Sequence, residues 1–230
     1  MSYNQDRLQT DHNAPFLADR SFRAAYERGV QAVGHDYEWE WRVHTALWVA
    51  RQAAELPGDF VECGTNYGFM ASAIMTDLNW NSRCRSFWLC DTWAGIDETQ
   101  LTNAERDHGV VQRAQEAATN GTYTFNFGKV LDNFNEWNRI HFILGSVPSS
   151  LIKVTAPAIA FLHLDMNCAR PEAEALQYFW PRIVHHGFVL ADDYCYVGYE
   201  LQGEALREMG RTLGVEWLAL PTGQGLLIKP

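Results

Sequence analysis

The sequence predicts a doubly wound α/β fold whose central sheet is mostly parallel. Short apolar runs alternate along the chain with segments in which apolar residues recur at helical spacing. The runs are apolar at almost every position, as expected of parallel strands that are covered on both faces. Near the end of the chain, two further apolar runs flank the turn Pro221-Thr222-Gly223-Gln224-Gly225, which indicates a closing antiparallel hairpin.

The N-terminal part of the chain is predicted to precede this fold. We expect residues 1–37 to form an arm with a helical extension, and residues 38–230 to form one domain. Residues 1–18 are polar and are expected to be loose. The segment 38–56 is predicted to be a helix, because apolar residues recur there at helical spacing, namely Val43, Leu47, Ala50 and Ala54.

Strands and helices are predicted to alternate after that helix. The predicted strands are 59–63, 85–90, 140–144, 158–164 and 187–191. The predicted helices lie near 68–78, 125–137, 171–182 and 200–212. The closing hairpin would pair 215–220 with 226–229, an ending that is usual in Rossmann-like methyltransferase folds and absent from classical nicotinamide-binding sheets. Residues 92–110 show no clear pattern and are interpreted either as a lid or as a mobile surface loop.

Composition and charge argue against several kinds of partner. The net charge is −10 and the chain has no basic run, which argues against nucleic acid and against anionic membranes. No apolar run is long enough to span a bilayer, and the polar segment Met1–Thr10 lacks the apolar core of a signal peptide. The five cysteines form no C-x-x-C pair, so we expect a reducing, cytoplasmic location. The N-terminal arm and the Trp-rich helix 38–50 predict a homo-oligomer.

Two motifs follow the first two predicted strands of the sheet. The first is Glu62-Cys63-Gly64-Thr65-Asn66-Tyr67-Gly68, and the second is Trp88-Leu89-Cys90-Asp91-Thr92. Ligands of open α/β sheets bind at the carboxyl ends of the strands, and an acidic residue there can bind ribose hydroxyls. Phe69 follows Gly68, so the first motif is not the three-glycine dinucleotide fingerprint. An ordinary tight turn and a helix-capping carboxylate are the alternative interpretations.

Acidic residues also follow the fourth and fifth predicted strands. Asp165 ends the fourth strand, and Asp192 and Asp193 end the fifth. Three neighbouring carboxylates repel one another unless a cation lies among them, and oxygen ligands suit Mg²⁺ or another hard divalent cation. The alternative is that one caps a helix and another is solvated. His163 lies two residues before Asp165 and is either a core histidine or a catalytic residue.

These motifs belong to a longer pattern of short segments. In order, the segments are Gly58-Asp59-Phe60-Val61-Glu62-Cys63-Gly64, Asp91-Thr92-Trp93-Ala94-Gly95, Leu164-Asp165, Pro181-Arg182-Ile183-Val184, Gly187 and Ala191-Asp192-Asp193-Tyr194. The pattern resembles the macrocin O-methyltransferase family and covers roughly residues 40–230. Members of that family methylate sugar hydroxyls of antibiotics with S-adenosylmethionine and Mg²⁺. The resemblance implies a Rossmann-like class I methyltransferase domain over residues 38–230.

The resemblance also implies roles for individual residues. Glu62 and Gly64 would border the methionine part of S-adenosylmethionine, Asp91 would bind the ribose, and Gly145 and Ser146 would lie near the adenine. The full set of predicted cofactor-binding residues is Glu62, Gly64, Thr65, Asn66, Tyr67, Gly68, Asp91, Thr92, Trp93, Gly145, Ser146 and Asp165. The predicted metal ligands are Asp165, Asp192 and Asp193.

The chain departs from the family pattern on the acceptor side. Members usually carry an aspartate two residues after the first metal ligand, where it can act as general base. Asn167 occupies that position here and cannot take up a proton at neutral pH. The candidate catalytic residues are therefore Asn167, which would position the acceptor, and His163, which would take the proton in competition with water.

Three functions follow from these observations. The predicted function is a Mg²⁺-dependent O-methyltransferase that uses S-adenosylmethionine to methylate a hydroxyl of a small molecule, such as a sugar or another diol. The alternative is a non-catalytic S-adenosylmethionine-binding subunit, which Asn167 supports. A nicotinamide oxidoreductase is the third, and the closing hairpin and missing glycine fingerprint argue against it.

Overall fold

The computed structural model describes residues 2–230 and contains a seven-stranded sheet and a separate two-stranded hairpin. The strands are β1 (Tyr3–Gln5), β2 (Leu8–Thr10), β3 (Asp59–Cys63), β4 (Phe87–Asp91), β5 (Ile140–Leu144), β6 (Ile159–Leu164), β7 (Ile183–Ala191), β8 (Leu218–Ala219) and β9 (Gly225–Ile228). The helices are α1 (Arg20–Val33), α2 (Glu40–Ala53), α3 (Phe69–Asp77), α4 (Asn103–Asp107), α5 (Val110–Thr119), α6 (Phe127–Phe134), α7 (Ala169–Phe179) and α8 (Glu200–Leu213).

The large sheet has the strand order β5-β4-β3-β6-β7-β9-β8. Strands β3 to β7 pair in parallel, whereas β9 pairs antiparallel with β7 and with β8. This arrangement confirms the predicted α/β fold and its closing antiparallel hairpin. The chain proceeds outward from β3 through β4 to β5 and then returns to place β6 on the other side of β3. The carboxyl ends of β3 and β6 therefore flank a topological switch point, where open α/β sheets bind ligands.

Side chains alternate between the two faces of the sheet, and helices cover both faces. Phe60 of β3 lies in one core with residues of α1, α2 and α3, including the fully buried Ile74. Its neighbour Val61 lies in a second core with residues of α7 and α8, including Phe179 and Leu206. Parallel strands that are buried on both faces explain why their sequences are apolar without alternation.

The boundaries of several elements differ from those that the sequence predicts. Strand β7 begins at Ile183 instead of residue 187, since its first half contains the exposed pair His185 and His186, which conceals it from an apolar pattern. Helix α5 has no counterpart among the predicted elements, and only one of its residues, Val110, is buried. Helix α7 ends at Phe179 because Pro181 lies in the 3₁₀ turn that follows.

The segment 92–110 contains local structure in place of an unpatterned loop. A 3₁₀ turn covers Glu98–Gln100, and α4 follows it with a capping box between Thr102 and Glu105. In the capping box, Oε2 of Glu105 accepts a hydrogen bond from the amide of Thr102. Its Oε1 accepts a hydrogen bond of 2.8 Å from the amide of Ala169, the first residue of α7. The segment is thereby joined to the end of the sheet where β6 terminates.

The N-terminal arm is packed against the domain, contrary to the expectation that residues 1–18 are loose. Strands β1 and β2 pair antiparallel around a turn in which Asp6 and Arg7 have φ values of 49° and 60°. Tyr3 is buried and donates a hydrogen bond of 2.9 Å to Glu40 of α2. The polar composition of the arm conceals this packing, because only a few apolar side chains, Tyr3 and Phe16 among them, anchor it. Within residues 2–230, no helix is both long and apolar enough to cross a membrane.

Candidate active site at the carboxyl edge of the sheet

A cavity of about 270 Å³ opens at the edge where β3, β4 and β6 end. Among the predicted cofactor-binding residues, those that line it are Glu62, Gly64, Thr65, Asn66, Tyr67, Asp91, Thr92, Gly145, Ser146 and Asp165. The cavity is also lined by Asn167, Asp192 and Asp193. Residues that are separated by more than a hundred positions in the chain thus meet at one site, because parallel strands deliver their carboxyl ends to the same edge.

Three predicted site residues lie behind the cavity wall. Gly68 is the N-cap of α3 with φ of 89°, and a Cβ atom there would lie 2.3 Å from the ring of Phe134. Trp93 is buried and donates from its indole nitrogen to the carbonyl of Asn66 at 2.8 Å. His163 is buried beneath Glu62. The first two shape the loops that line the cavity and do not themselves line it.

Glu62 presents one free oxygen at the bottom of the cavity. Its Oε1 lies 3.1 Å from Nδ1 of His163, whereas Oε2 is buried and has no hydrogen-bond partner within residues 2–230. The buried hydroxyl of Thr65 is also without a partner there. Burial raises the pKa of Glu62, and the hydrogen bond with His163 opposes that rise. Unpaired buried acceptors are costly, so these atoms indicate a polar ligand with a donor group.

His163 is buried beside two carboxylates, and these surroundings disfavour the role of base that the sequence predicts for it. Burial lowers the pKa of His163, but the carboxylates of Asp192 and Glu62 outweigh that effect and raise the pKa to about 10. A doubly protonated imidazole has no lone pair with which to accept a proton. The side chain is 1% exposed, so it also has no surface on which to receive an acceptor.

Asp91 is fixed at the end of β4 by the loops on either side of the cavity. Its Oδ2 accepts a hydrogen bond from the amide of Asn66 and its Oδ1 accepts one from the amide of Trp93, each at 2.7 Å. Burial raises the pKa of Asp91, and these backbone donors lower it. Each carboxylate oxygen keeps a further lone pair that can face the cavity.

Two of the predicted metal ligands, Asp192 and Asp193, contact an arginine that is not among the predicted site residues. Arg42 of α2 is 3% exposed, its Nη1 forms an ion pair with Asp192 Oδ2, and the same nitrogen lies 3.6 Å from Asp193 Oδ1. Within residues 2–230, no three His, Cys, Asp or Glu side chains converge so that they could hold a metal ion. The residues present therefore do not fit the Mg²⁺ site that the sequence predicts, since the guanidinium already lies where a cation is needed.

One signal in the sequence could have revealed Arg42. It lies on the buried stripe of α2, at helical spacing from Ala46, Val49 and Ala53. A charged side chain on an apolar stripe requires a buried partner of opposite charge. The sequence contains that signal but does not identify the partner, because Asp192 lies 150 positions away along the chain.

The acceptor side of the cavity contains Asp165, Asn167 and an aromatic wall. Asn167 follows β6 with φ of 58°, and the carboxylate of Asp165 has no hydrogen bond or ion pair with other side chains of residues 2–230. The aromatic residues that line the cavity are Tyr37, Trp39, Tyr67, Phe69, Tyr123, Tyr196 and Tyr199. Apart from Tyr67, these aromatic residues are not among the predicted site residues, because aromatic side chains in a Trp-rich chain are expected to fill the core.

Glu172 of α7 is a buried carboxyl group whose titration should make the stability of the fold depend on pH. It is fully buried, and burial, with a further contribution from Asp193, raises its pKa from 4.5 to about 8. Between these values the folded protein holds a proton that the unfolded chain releases. The contribution of Glu172 to the free energy of unfolding should therefore fall as pH rises, by at most about 1.4 kcal/mol per pH unit.

The Glu172→Gln variant should lack this dependence, because the amide does not titrate and can still accept the hydrogen bond from Met166 N. Guanidinium chloride unfolding at several pH values between about 5 and about 8 measures the slopes. We expect a shallower decline for the variant than for the wild-type protein. Glu208→Gln, at an exposed position of α8, is the control and should follow the wild-type slope. Equal slopes for Glu172→Gln and wild type would contradict the assignment.

Comparison with known proteins relates this chain to a family. The family model described as macrocin O-methyltransferase matches residues 43–208. A curated relative, the 8-demethyl-8-(2,3-dimethoxy-alpha-L-rhamnosyl)-tetracenomycin-C 4'-O-methyltransferase of Streptomyces olivaceus, is 25% identical over 147 residues, which cover 60% of this chain and 54% of that protein. The chain thus spans about half the length of this relative.

Solved structures show the same fold. The O-methyltransferase NovP is similar with a TM-score of 0.70 and 17% identity over 88% of each chain. The calicheamicin methyltransferase CalS11 is similar with a TM-score of 0.65 and 13% identity over 94% of each chain. A methyltransferase of Podospora anserina bound to S-adenosylhomocysteine has a TM-score of 0.53 and 13% identity over 92% of this chain and 88% of that one. These similarities confirm the predicted Rossmann-like methyltransferase fold.

Proposed function

The chain belongs to the macrocin O-methyltransferase family, and from that premise we propose that it methylates a hydroxyl group of a sugar-bearing small molecule with S-adenosylmethionine. The observation that carries the proposal is the convergence of Glu62, Asp91 and Asp165 on one cavity at the switch point of the sheet. S-adenosylmethionine supplies a methyl group bound to a sulfonium, which an acceptor oxygen can attack in line.

The donor side of the cavity suits the charges of this cofactor. The unpartnered Oε2 of Glu62 is placed to accept a hydrogen bond from the ammonium group of the methionine part. The carboxylate of Asp91, fixed by the amides of Asn66 and Trp93, is placed to accept hydrogen bonds from the two ribose hydroxyls. Gly145 and Ser146, which follow β5, would border the adenine.

The acceptor side suits a hydroxylated ring. Aromatic rings offer flat apolar faces to a sugar, and Tyr hydroxyls at their edges add hydrogen bonds. We propose that the carboxylate of Asp165 takes up the proton that the reacting hydroxyl loses. Asn167 would hold a neighbouring hydroxyl by a hydrogen bond with its amide. Alignment of the acceptor with the methyl group then accounts for most of the rate gain. The curated relative is a rhamnosyl-tetracenomycin methyltransferase and CalS11 is a TDP-rhamnose 3'-O-methyltransferase, which favours a deoxysugar acceptor for this chain.

A binding protein without activity is the second candidate, and Asn167 favours it, because the amide cannot act as a base. One experiment separates the two. The full-length protein is titrated with S-adenosylmethionine by calorimetry and then incubated with a panel of nucleotide-linked deoxysugars, rhamnosides and catechols. Formation of S-adenosylhomocysteine together with a singly methylated product would support the enzyme. Cofactor binding without turnover on any acceptor would favour the second candidate, and absence of cofactor binding would contradict both.

The oligomeric state of the protein and its location in the cell stay predictions. The homo-oligomer and the cytoplasmic location follow from the sequence analysis alone. Analytical ultracentrifugation of the full-length protein measures the first directly.

A further inference from the structure

The acidic end of the cavity already contains a cation that belongs to the chain. Nη1 of Arg42 forms an ion pair with Asp192 Oδ2, lies 3.3 Å from the Asp192 carbonyl oxygen and lies 3.6 Å from Asp193 Oδ1. The same nitrogen thus contacts both residues that follow β7. With an exposed fraction of 3%, the guanidinium is held inside the protein.

Other groups fix this guanidinium from the remaining directions. Its Nε lies 3.2 Å from Asp6 Oδ2, in the turn of the N-terminal hairpin, and the other oxygen of Asp6 accepts a hydrogen bond of 2.8 Å from Tyr196. The Arg42 Cζ atom lies 4.6 Å from the ring centroid of Tyr196 and 5.4 Å from that of Trp39. Guanidinium groups favour such an arrangement, because their plane stacks on aromatic rings while their edges bind carboxylates.

The oxygens of Asp192 are both engaged. Oδ2 pairs with Arg42, while Oδ1 accepts a hydrogen bond of 2.9 Å from the fully buried Gln224 and lies 3.8 Å from Nε2 of His163. A Mg²⁺ ion requires oxygens at about 2.0–2.1 Å in octahedral geometry. Entry of the ion would require the Arg42 guanidinium to leave Asp6, Asp192 and Asp193 and to remain buried without a partner, at a large cost.

We propose that the Arg42 guanidinium is the resident cation of this site, and that the chain therefore needs no divalent metal at the position where the family pattern predicts one. Arg42 offsets part of the negative charge of Asp192 and Asp193 and leaves Asp165 as the carboxylate that faces the acceptor. The N-terminal hairpin contributes to this role through Asp6, so the arm forms part of the site. Only the part of the inference that concerns the reaction rests on the proposed function. The cation content of the site can be measured without turnover.

The test measures the binding of Mn²⁺, which occupies oxygen sites of the Mg²⁺ type and is detected by electron paramagnetic resonance. The wild-type protein should leave the signal of free Mn²⁺ unchanged. The Arg42→Met variant, which keeps an unbranched side chain against Tyr196 but removes the charge, should bind one Mn²⁺ with an affinity at least about tenfold above the upper limit that the wild-type titration sets. Arg42→Lys keeps a cation and should bind no Mn²⁺. Adding Asp192→Asn to Arg42→Met should abolish the gain, which would locate the ion at the aspartates.

The outcomes separate this inference from the proposed function. Stoichiometric Mn²⁺ binding by the wild-type protein would overturn the inference, as would a folded Arg42→Met variant that binds none. If Arg42→Met does not fold, the spectra of wild type and Arg42→Lys test the inference, and Mn²⁺ binding by either protein would overturn it. Once an acceptor is found, wild-type turnover in EDTA should stay within about twofold of turnover in Mg²⁺. Failure to find any acceptor would count against the proposed function and would leave the Mn²⁺ result valid.

Discussion

Gly64→Ala is expected to lower the free energy of unfolding by more than about 4 kcal/mol, a loss that few single substitutions cause. Gly64 follows β3 with φ of 93°, and a Cβ atom there would lie 1.7 Å from the carbonyl oxygen of Asp165 and 2.4 Å from its carbonyl carbon. Both contacts are with backbone, which cannot move aside as a flexible side chain would. The ends of β3 and β6 would have to separate, and the donor side of the cavity would open with them.

Chemical unfolding and calorimetric titration with S-adenosylhomocysteine measure the two effects. Gly214→Ala is the matched control, since Gly214 ends α8 with φ of 71° and a Cβ atom there would meet no other atom within 4 Å. Gly214→Ala should lower the free energy of unfolding by only about 1 kcal/mol, the strain of an alanine in the left-handed region, and should leave the affinity for S-adenosylhomocysteine unchanged. A small and equal loss of stability in both variants would contradict the close approach of Gly64, at the end of β3, to the backbone of Asp165, at the end of β6.

The sheet could be predicted from the sequence because its strands are buried on both faces. Runs such as Asp59–Cys63 and Ile159–Leu164 are apolar because both of their faces are buried. A short stretch of sequence is therefore enough to locate them. Residues that follow those strands can then be placed at one edge of the sheet without knowledge of any side-chain contact. This reasoning brought Glu62, Asp91 and Asp165 to a common cavity, as the structure has them.

Chemistry that depends on partners distant in the chain could not be predicted in this way. The charge of His163 depends on Glu62 of β3 and on Asp192, which follows β7, and no local pattern reports it. The sequence predicts a divalent metal among the aspartates and does not report the guanidinium beside them, because Arg42 reaches Asp192 from a helix that precedes the sheet. A cluster of carboxylates in a sequence indicates a compensating charge and does not say whether a metal or a side chain supplies it.

Asp91→Asn is expected to weaken the binding of S-adenosylhomocysteine by about 100-fold or more. Hydrogen bonds to a charged acceptor contribute about 1.5–3 kcal/mol each, and every 1.4 kcal/mol is about tenfold in affinity, so two bonds to ribose hydroxyls account for this loss. The substitution also places an amide N–H₂ opposite one of two backbone donors, either Asn66 N or Trp93 N, which now lie 2.7 Å from the carboxylate oxygens. A fall in stability should therefore accompany the loss of affinity.

Asp59→Asn separates these two effects, because Asp59 is the counterpart of Asp91 at the opposite end of the same strand pair. Its Oδ1 accepts from the amide of Ser86 and its Oδ2 from the indole nitrogen of Trp88, each at 2.9 Å. Asp59→Asn should lower stability by a similar amount, since it too turns an amide towards a donor, yet calorimetry should find its affinity for S-adenosylhomocysteine unchanged. Equal affinities for the two variants would mean that Asp91 supports the loops and does not bind the ribose, and the donor side of the proposed site would then lie elsewhere in the cavity.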